Sequence, residues 1–206
     1  ATTGDIVFAG PGTLDAASGV TINDDLTVNA GTLTIDADND DNGTGTLTIA
    51  GAVANANRAI TLTADDLNLS STMNAGSGTV TINESHAGGI GLGDDTALGM
   101  DITGAEIQNI TAGTVEFATA GGVNVDNITA ANSNNIGTVL IDATGAVEFK
   151  TASSLFNTLT VESDQDVDIN VAITTDTGAL TIDADDDNGG GSGDNRIDMA
   201  AGLTLT

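Results

Sequence analysis

Pairs of apolar side chains two positions apart recur along almost the whole chain, usually with Thr, Asn, Asp or Glu between them. Leu33 and Ile35 in TLTID form one such pair. This alternation places one set of side chains in a core and the other in water, which is typical of β-strands. Each segment supplies two inward residues, so the pattern predicts strands of about four to six residues. Further clear pairs are Leu47 and Ile49, Val80 and Ile82, Val115 and Phe117, Val139 and Ile141, and Leu159 and Val161.

Helical spacing of apolar residues is nearly absent from the sequence. Segment 98–110, LGMDITGAEIQNI, is the best helical candidate, but Gly99 and Gly104 disfavour a helix there. Many short strands at close spacing indicate a sandwich, a barrel or a solenoid. The pattern therefore predicts an all-β fold.

Internal repetition favours the solenoid. NDDLTVNAGTLTIDAD (23–38) and NVAITTDTGALTIDAD (170–185) align over their whole length, and echoes such as GTVTI and GTVEF recur. Such self-similarity is the mark of repeat architectures. With four Phe and no Trp or Tyr, the chain also lacks the aromatic residues that a sandwich core usually contains. We predict that residues 1–206 form a single right-handed parallel β-helix (β-solenoid) domain with short strands, in roughly 9–11 rungs of about 18–24 residues.

The net charge excludes several classes of partner. Thirty Asp and Glu oppose three Lys and Arg, which gives a formal net charge of −27. Arg58, Lys150 and Arg196 cannot form the basic surface that nucleic acid or an anionic membrane requires. Acidic chains with few aromatics are often disordered, but 39% hydrophobic residues at even spacing predict a folded core. A charge of this size is suited to high salt or to divalent cations.

The sequence contains no Cys, so it supports neither disulfides nor thiol chemistry. No apolar run approaches the ~20 residues of a membrane span, and we expect no membrane insertion. The chain starts at Ala1 without an initiator Met or a signal peptide. We therefore expect it to be a piece of a longer polypeptide.

Two acidic segments follow the two copies of the repeat. Carboxylates at alternate strand positions lie about 7 Å apart and repel each other by ~0.6 kcal/mol in water, and Ca²⁺ binds such oxygen ligands. Asp, Asn and Gly also form solvated turns without a metal, and that alternative stays open. Since the segments interrupt the repeat at equivalent places, we expect them to project from one face. The candidate Ca²⁺ ligands are Asp36, Asp38, Asp40, Asp41 and Asn42 in the first segment, and Asp183, Asp185, Asp186, Asp187, Asn188 and Asp194 in the second.

Residues suited to catalysis are sparse. His86 is the single histidine and lies in a Ser-His-Ala-Gly turn, where a surface histidine is the simplest interpretation. Ser85 beside it does not make a triad, because triad members meet in space and need an orienting acid. Transition-metal sites use clusters of His or Cys, which the sequence does not show. We predict that the protein is not an enzyme.

One stretch resembles a known family. The run GTVTINESHAGGIGLGDDTALGMDITGAEIQNITAGTVEFATAGGVNVDNI (78–128) contains a strand TVT, an IGLG turn at Ile90–Gly93, an aliphatic segment with an acid at Met100–Ile110, and the motif I-x-AGT at Ile110–Thr114. These elements are similar to the repeat regions of filamentous-haemagglutinin-like exoproteins, large bacterial surface proteins exported by two-partner secretion. The resemblance implies a β-helix, secretion and a structural or adhesive role. It supplies no catalytic residues.

Both ends of the sequence are strand-like and carry neither a polar cap nor a Pro-rich stop. A β-helix without caps exposes strand edges that invite pairing with another chain. We therefore expect a non-enzymatic, secreted structural protein. It would be a repeat unit of a bacterial cell-surface fibre, filament or matrix stalk that is rigidified by Ca²⁺ and assembles end to end, from separate units or as tandem repeats of one chain. The alternatives are an adhesin domain that binds a glycan or a host or cell-surface receptor, and an arbitrary segment of a longer protein.

Overall fold

The structure is a computed structural model that describes residues 4–95, 97–187 and 195–206. Within these ranges the chain forms 23 short strands and two short helices, which confirms the prediction of an all-β fold. The strands are β1 Ile6–Phe8, β2 Gly12–Asp15, β3 Val20–Ile22, β4 Leu26–Val28, β5 Leu33–Asp36, β6 Thr46–Ile49, β7 Val53–Ala54, β8 Ile60–Ala64, β9 Asp66–Leu69, β10 Met73–Asn74, β11 Thr79–Glu84, β12 Ile90–Gly93, β13 Met100–Thr103, β14 Ile110–Thr119, β15 Val123–Asp126, β16 Ile136–Ala143, β17 Val147–Phe149, β18 Ser154–Phe156, β19 Leu159–Ser163, β20 Val167–Ile169, β21 Ile173–Thr175, β22 Leu180–Asp183 and β23 Ile197–Met199. The helices are α1 Gly104–Gln108 and α2 Ala130–Ser133.

Strand pairing is parallel throughout the described part of the chain. Ile6 pairs with Leu26, and Ile60 pairs with Val80. Both pairs are 20 residues apart in sequence, since the chain forms two other strands before it returns to lie beside an earlier one. Parallel partners always require such a crossover connection. The arrangement is solenoid-like.

The strands form three columns. The first column is β1, β4, β7, β10 and the start of β14, and the second is β2, β5, β8, β11, β14, β16, β19 and β22. β14 is ten residues long and pairs in both, so these columns belong to one 12-stranded sheet. The third column starts with β3, β6 and β9, and β9 contacts the next sheet, which is β13, β12, β15, β17, β20 and β23. β18 and β21 pair with each other.

Among the described residues the second column has eight strands and the third has nine, compared with the roughly 9–11 rungs predicted from the sequence. Leu62 and Ile82 are stacked neighbours 20 residues apart, but Ile82 and Phe117 are stacked neighbours 35 residues apart. The extra residues lie in segment 94–109, where β13 returns to the far side of β12 before α1 begins. A long connection of this kind takes up residues without adding a strand to the second column.

Inward side chains form continuous apolar rows along the columns. In the second column Ile35, Leu62, Ile82, Phe117 and Ile141 lie in register on successive strands and are buried. A fully buried aliphatic side chain contributes ~1.5–3 kcal/mol, and stacking lets neighbouring strands share that burial. All six apolar pairs predicted from the sequence are buried.

Segment 98–110 contains both a strand and a helix. Thr103 caps α1, because its hydroxyl accepts a hydrogen bond from Glu106 N while the Glu106 carboxylate accepts one from Thr103 N at 2.9 Å. This reciprocal capping box offsets the low helix propensity of Gly104. The T-x-x-E spacing at 103–106 was the sequence signal for this helix. Neither described helix has the length and apolar character needed to cross a membrane.

Candidate functional site

The first acidic segment forms the loop between β5 and β6 and has a buried and an exposed part. Asp38 is 0% exposed, and its backbone N–H donates to the Asp36 carboxylate at 3.2 Å. The Asn42 side chain donates to Asp40 at 2.8 Å. Of the predicted ligands in this loop, Asp36 is half-buried and Asp40, Asp41 and Asn42 are exposed.

Asp38 holds this loop together from inside. Its carboxylate accepts hydrogen bonds from Ser85 Oγ at 2.7 Å, from Gly43 N at 3.0 Å and from Asn42 N at 3.3 Å. Burial by itself raises the pKa of Asp38, but these hydrogen bonds outweigh it and lower the pKa below its ordinary value. Both carboxylate oxygens are therefore already used in shaping the loop.

The second acidic segment follows β22. Asp185 N donates to the Asp183 carboxylate at 3.1 Å, which repeats the contact between Asp38 and Asp36. Asp185 is half-buried and accepts a hydrogen bond from Asn195 at 2.7 Å. Of the other predicted ligands, Asp183, Asp186 and Asp187 are exposed, and Asn188 and Asp194 lie outside the described residues.

Both acidic segments follow strands of the second column, as the sequence predicted. They do not form one site, however. β5 is the second strand of that column and β22 is the eighth. At a strand spacing of ~4.8 Å the two segments lie about 29 Å apart along the stack.

The structure adds two acids to the second segment that the sequence did not predict. Asp142, Glu162 and Asp183 are register partners on β16, β19 and β22. Burial raises the pKa of Asp142 and of Glu162, and neighbouring acids, with Asp186 among them, raise both further. This row is a place where a divalent cation would relieve repulsion.

A second cluster lies at the corner that joins the second and third columns. Asp65 is at the turn between β8 and β9, Glu84 is the last residue of β11, and His86 is in the turn that follows β11. The potential ligand atoms of these three residues all lie within 4.8 Å of one another, so the cluster could hold a metal ion. Glu84 is buried, Asp65 is half-buried and His86 is exposed.

Glu84 is fixed by the turn that it supports. Its Oε1 accepts hydrogen bonds from His86 N at 2.9 Å and Gly88 N at 3.0 Å. Its Oε2 accepts one from Thr119 Oγ1 at 2.9 Å and a long one from Gly89 N at 3.4 Å. The carboxylate is therefore held in one orientation and satisfied in spite of its burial.

This corner is joined to the first acidic loop. Ser85, between Glu84 and His86, is the residue that donates to Asp38. The His86 ring lies over Gly43, so close that a side chain at Gly43 would come within 2.9 Å of it. Changes at the corner should therefore affect the loop between β5 and β6.

Sequence interpretation missed this cluster because it treated His86 as an isolated surface residue and did not consider Asp65 as a ligand. The signal was the repeat length. Leu62 and Ile82 are stacked neighbours 20 residues apart, and the same offset brings Asp65 beside Glu84 and His86.

Lys150 forms an ion pair with one of the acids. Lys150 Nζ lies 2.8 Å from the Asp95 carboxylate. Burial works to raise the pKa of Asp95, but the Lys150 ammonium and hydrogen bonds from Ala97 N and Asn124 lower it overall. Nearby, Asp101 Oδ1 is buried without a hydrogen-bond partner, and burial raises the pKa of Asp101.

Comparisons with protein-family models, with curated proteins and with solved structures found no match to this chain. The resemblance to filamentous-haemagglutinin-like repeats therefore stays a prediction.

Proposed function

We propose that the chain is a non-enzymatic structural unit of an extracellular fibre, filament or stalk on a bacterial surface, built as a right-handed parallel β-helix. The observation that carries this proposal is the apolar surface at both ends of the strand columns. Ile6 and Val7 on β1 are 38% and 59% exposed, and Ile197 and Met199 on β23 are 46% and 47% exposed. The register partners of Ile6, Ile197 and Met199 on the next strands are buried. Val7 occupies an outward-facing position of its column.

End-to-end contact with a second unit would cover these surfaces. At the β22–β23 end, a groove of about 590 Å³ is lined by Leu180, Ile182, Ile197, Met199 and Leu205, among others. The opposite ends of a parallel stack present complementary edges, so head-to-tail contact extends each column in the same direction. A heterologous contact that does not close into a ring produces a filament. The next unit is a separate copy of the chain or a further repeat of the same polypeptide.

Calcium has its best-supported position at the second acidic segment. Asp142, Glu162 and Asp183 lie on adjacent strands, and Asp186 adds a further charge. Ca²⁺ takes six to eight oxygen ligands in flexible geometry, which carboxylates and water supply here. In the first segment Asp38 is engaged in hydrogen bonds, so Ca²⁺ there would use the outer carboxylates of the loop.

The net charge and the resemblance support the extracellular assignment. A charge of −27 disfavours nucleic acid and anionic membranes as partners. The similarity of residues 78–128 to filamentous-haemagglutinin-like repeats agrees with secretion and display at the cell surface.

An adhesin that binds a glycan is the second candidate. A groove of about 510 Å³ between the α1 and α2 regions is lined by Asp94, Thr103, Asn127, Thr129 and Asn132, among others. These side chains offer hydrogen-bond donors and acceptors that suit sugar hydroxyls. Aromatic platforms are missing from the lining residues, which favours the structural role.

Electron microscopy of the purified chain, in millimolar Ca²⁺ and after chelation, tests the proposal. We expect long thin filaments that loosen or fragment without Ca²⁺, and single particles when Ile197 and Met199 are both replaced by Asp. Filaments that do not change on chelation would support the fibre and contradict a role for Ca²⁺. Short rods in both conditions, together with retention on a glycan array, would favour the adhesin.

A further inference from the structure

We propose that Asp65, Glu84 and His86 bind one divalent transition-metal ion, with Zn²⁺ as the best fit. The ion would join two successive corners of the stack, since Asp65 belongs to the β8–β9 turn, Glu84 ends β11 and His86 belongs to the turn after it. The site is separate from the acidic segments assigned to Ca²⁺.

The donor set selects the metal. One imidazole and two carboxylates suit Zn²⁺, whereas Ca²⁺ takes oxygen ligands almost exclusively. Zn²⁺ with three protein ligands keeps a fourth position for water. With bonds of about 2.0–2.2 Å in tetrahedral geometry, neighbouring ligand atoms lie roughly 3.3–3.6 Å apart. The potential ligand atoms here lie within 4.8 Å of one another, so the cluster has to contract by up to about 1.5 Å when the ion binds.

The carboxylate at the centre of the cluster is already oriented. Thr119 Oγ1 and the backbone N–H groups of His86 and Gly88 hold Glu84, in the manner of the outer-shell partners that orient metal ligands. The contact from Gly89 N is the longest of the four at 3.4 Å, so Oε2 is the oxygen with capacity left for an ion.

His86 supplies the mobile part of the site. Its backbone is fixed by Glu84, and its exposed ring lies over Gly43 rather than under other side chains. A rotation of the ring closes the cluster without disturbing the core. Because Ser85 donates to Asp38, metal binding would also steady the loop between β5 and β6.

The single histidine makes the test specific. The full chain is titrated with Zn²⁺ in excess Ca²⁺, which occupies the general acidic surface. The unfolding temperature and the imidazole NMR resonances of His86 are followed. The variants are His86→Ala, Asp65→Asn and Thr119→Val, and Asp24→Asn is a matched control that removes one exposed turn carboxylate.

We expect Zn²⁺ to shift the His86 resonances and to raise the unfolding temperature equally in the parent chain and in Asp24→Asn. Thr119→Val should weaken Zn²⁺ binding roughly 10–100-fold, as loss of an outer-shell partner does. His86→Ala and Asp65→Asn should weaken it further. His86 is exposed, so its loss should leave the metal-free fold intact.

Two results would overturn the proposal. One is an equal rise in unfolding temperature in His86→Ala, which would assign Zn²⁺ to the acidic surface at large. The other is a set of His86 resonances that do not move with Zn²⁺, or that return to their original positions when Ca²⁺ is raised further.

Discussion

The two copies of LTIDAD, at 33–38 and 180–185, have the same sequence but different surroundings. In the first copy, Leu33 and Ile35 on β5 are 0% exposed, because β2 and β8 pair on either side. In the second copy, Leu180 and Ile182 on β22 are only half-buried, because β22 is the last strand of its column.

The comparison shows that local sequence sets the strand but stacking sets its burial. A strand with two alternating apolar residues contributes fully only when strands pair on both of its edges. The terminal copy therefore retains apolar surface that a further strand could cover, and substitutions at matched positions should separate the two situations.

The largest difference in stability loss between the two copies should come from the inward isoleucines, Ile35 and Ile182. Ile35→Ala should lower the free energy of unfolding by about 2–5 kcal/mol, because it leaves a cavity between buried strands. Ile182→Ala should cost about 1 kcal/mol or less in the isolated unit, because its site is partly open to water. Chemical denaturation of both variants measures the difference, and equal costs would contradict the role of stacking.

The same comparison explains what could be predicted of the fold. The i, i+2 pairs identified β5 and β22 alike, since alternation is a local property of the sequence. The second column has fewer strands than the predicted number of rungs because segment 94–109 lengthens one turn of the chain. The spacing of apolar residues along the sequence does not reveal such a connection.

The next difference should come from the buried aspartate. Asp38→Ala removes the acceptor for Ser85, Gly43 and Asn42, and should cost about 1–3 kcal/mol. Asp185→Ala, at the matched position, removes the acceptor for Asn195 and should cost about 0.5–1.5 kcal/mol. Thermal unfolding of both variants in the same buffer measures the difference between the two losses of stability.

Acidification provides a check on the role of Asp38. Its folded pKa is lowered, so its stabilisation is complete above the ordinary Asp value of ~3.9 and is lost as the pH falls through the lower folded value. Asp38→Ala should therefore show a shallower loss of stability at acid pH than the parent chain. An equal loss of stability at acid pH in the variant and the parent chain would mean that the hydrogen bonds to Asp38 contribute little.

Matched glycines should show a smaller difference. Gly31 has φ +82° and lies against Pro11. Gly178, at the same repeat position, has no positive φ, but a Cβ there would come within 2.9 Å of the Thr158 Cβ, which rotation of that side chain does not move. Gly31→Ala should cost about 1–2 kcal/mol from backbone strain alone, since an L-residue is strained there. Gly178→Ala avoids that strain and should cost about 1 kcal/mol for the shift away from Thr158. Similar costs at both positions would mean that backbone strain at Gly31 contributes little.

The candidate sites were less predictable than the strands. Asp183 and Asp186 were identified from sequence, but Asp142 and Glu162 were not, because only the register of β16, β19 and β22 brings them together. Asp65, Glu84 and His86 were missed for the same reason. Contacts between neighbouring turns of the chain depend on the local repeat length, and that length varies along this sequence.

The smallest effect should appear at the acids beside the two copies. Asp183 continues a row of three acids with Glu162 and Asp142. Asp36 has one acidic register partner, Asp15, and has Thr63 on its other side. The folded pKa of Glu162 is raised, so the folded chain binds a proton more tightly than the unfolded chain, and stability falls as the pH rises from the unfolded value through the folded one. Glu162→Gln should reduce that fall, although Asp142 still contributes to it, and should be slightly stabilising at neutral pH without Ca²⁺. It should also reduce the rise in unfolding temperature produced by Ca²⁺, because a ligand of the acidic row is gone.

Thermal unfolding at several pH values, with and without Ca²⁺ and with Asp24→Asn as the control, measures both effects. A Ca²⁺ response that survives Glu162→Gln unchanged would place the ion elsewhere and leave this row as solvated carboxylates.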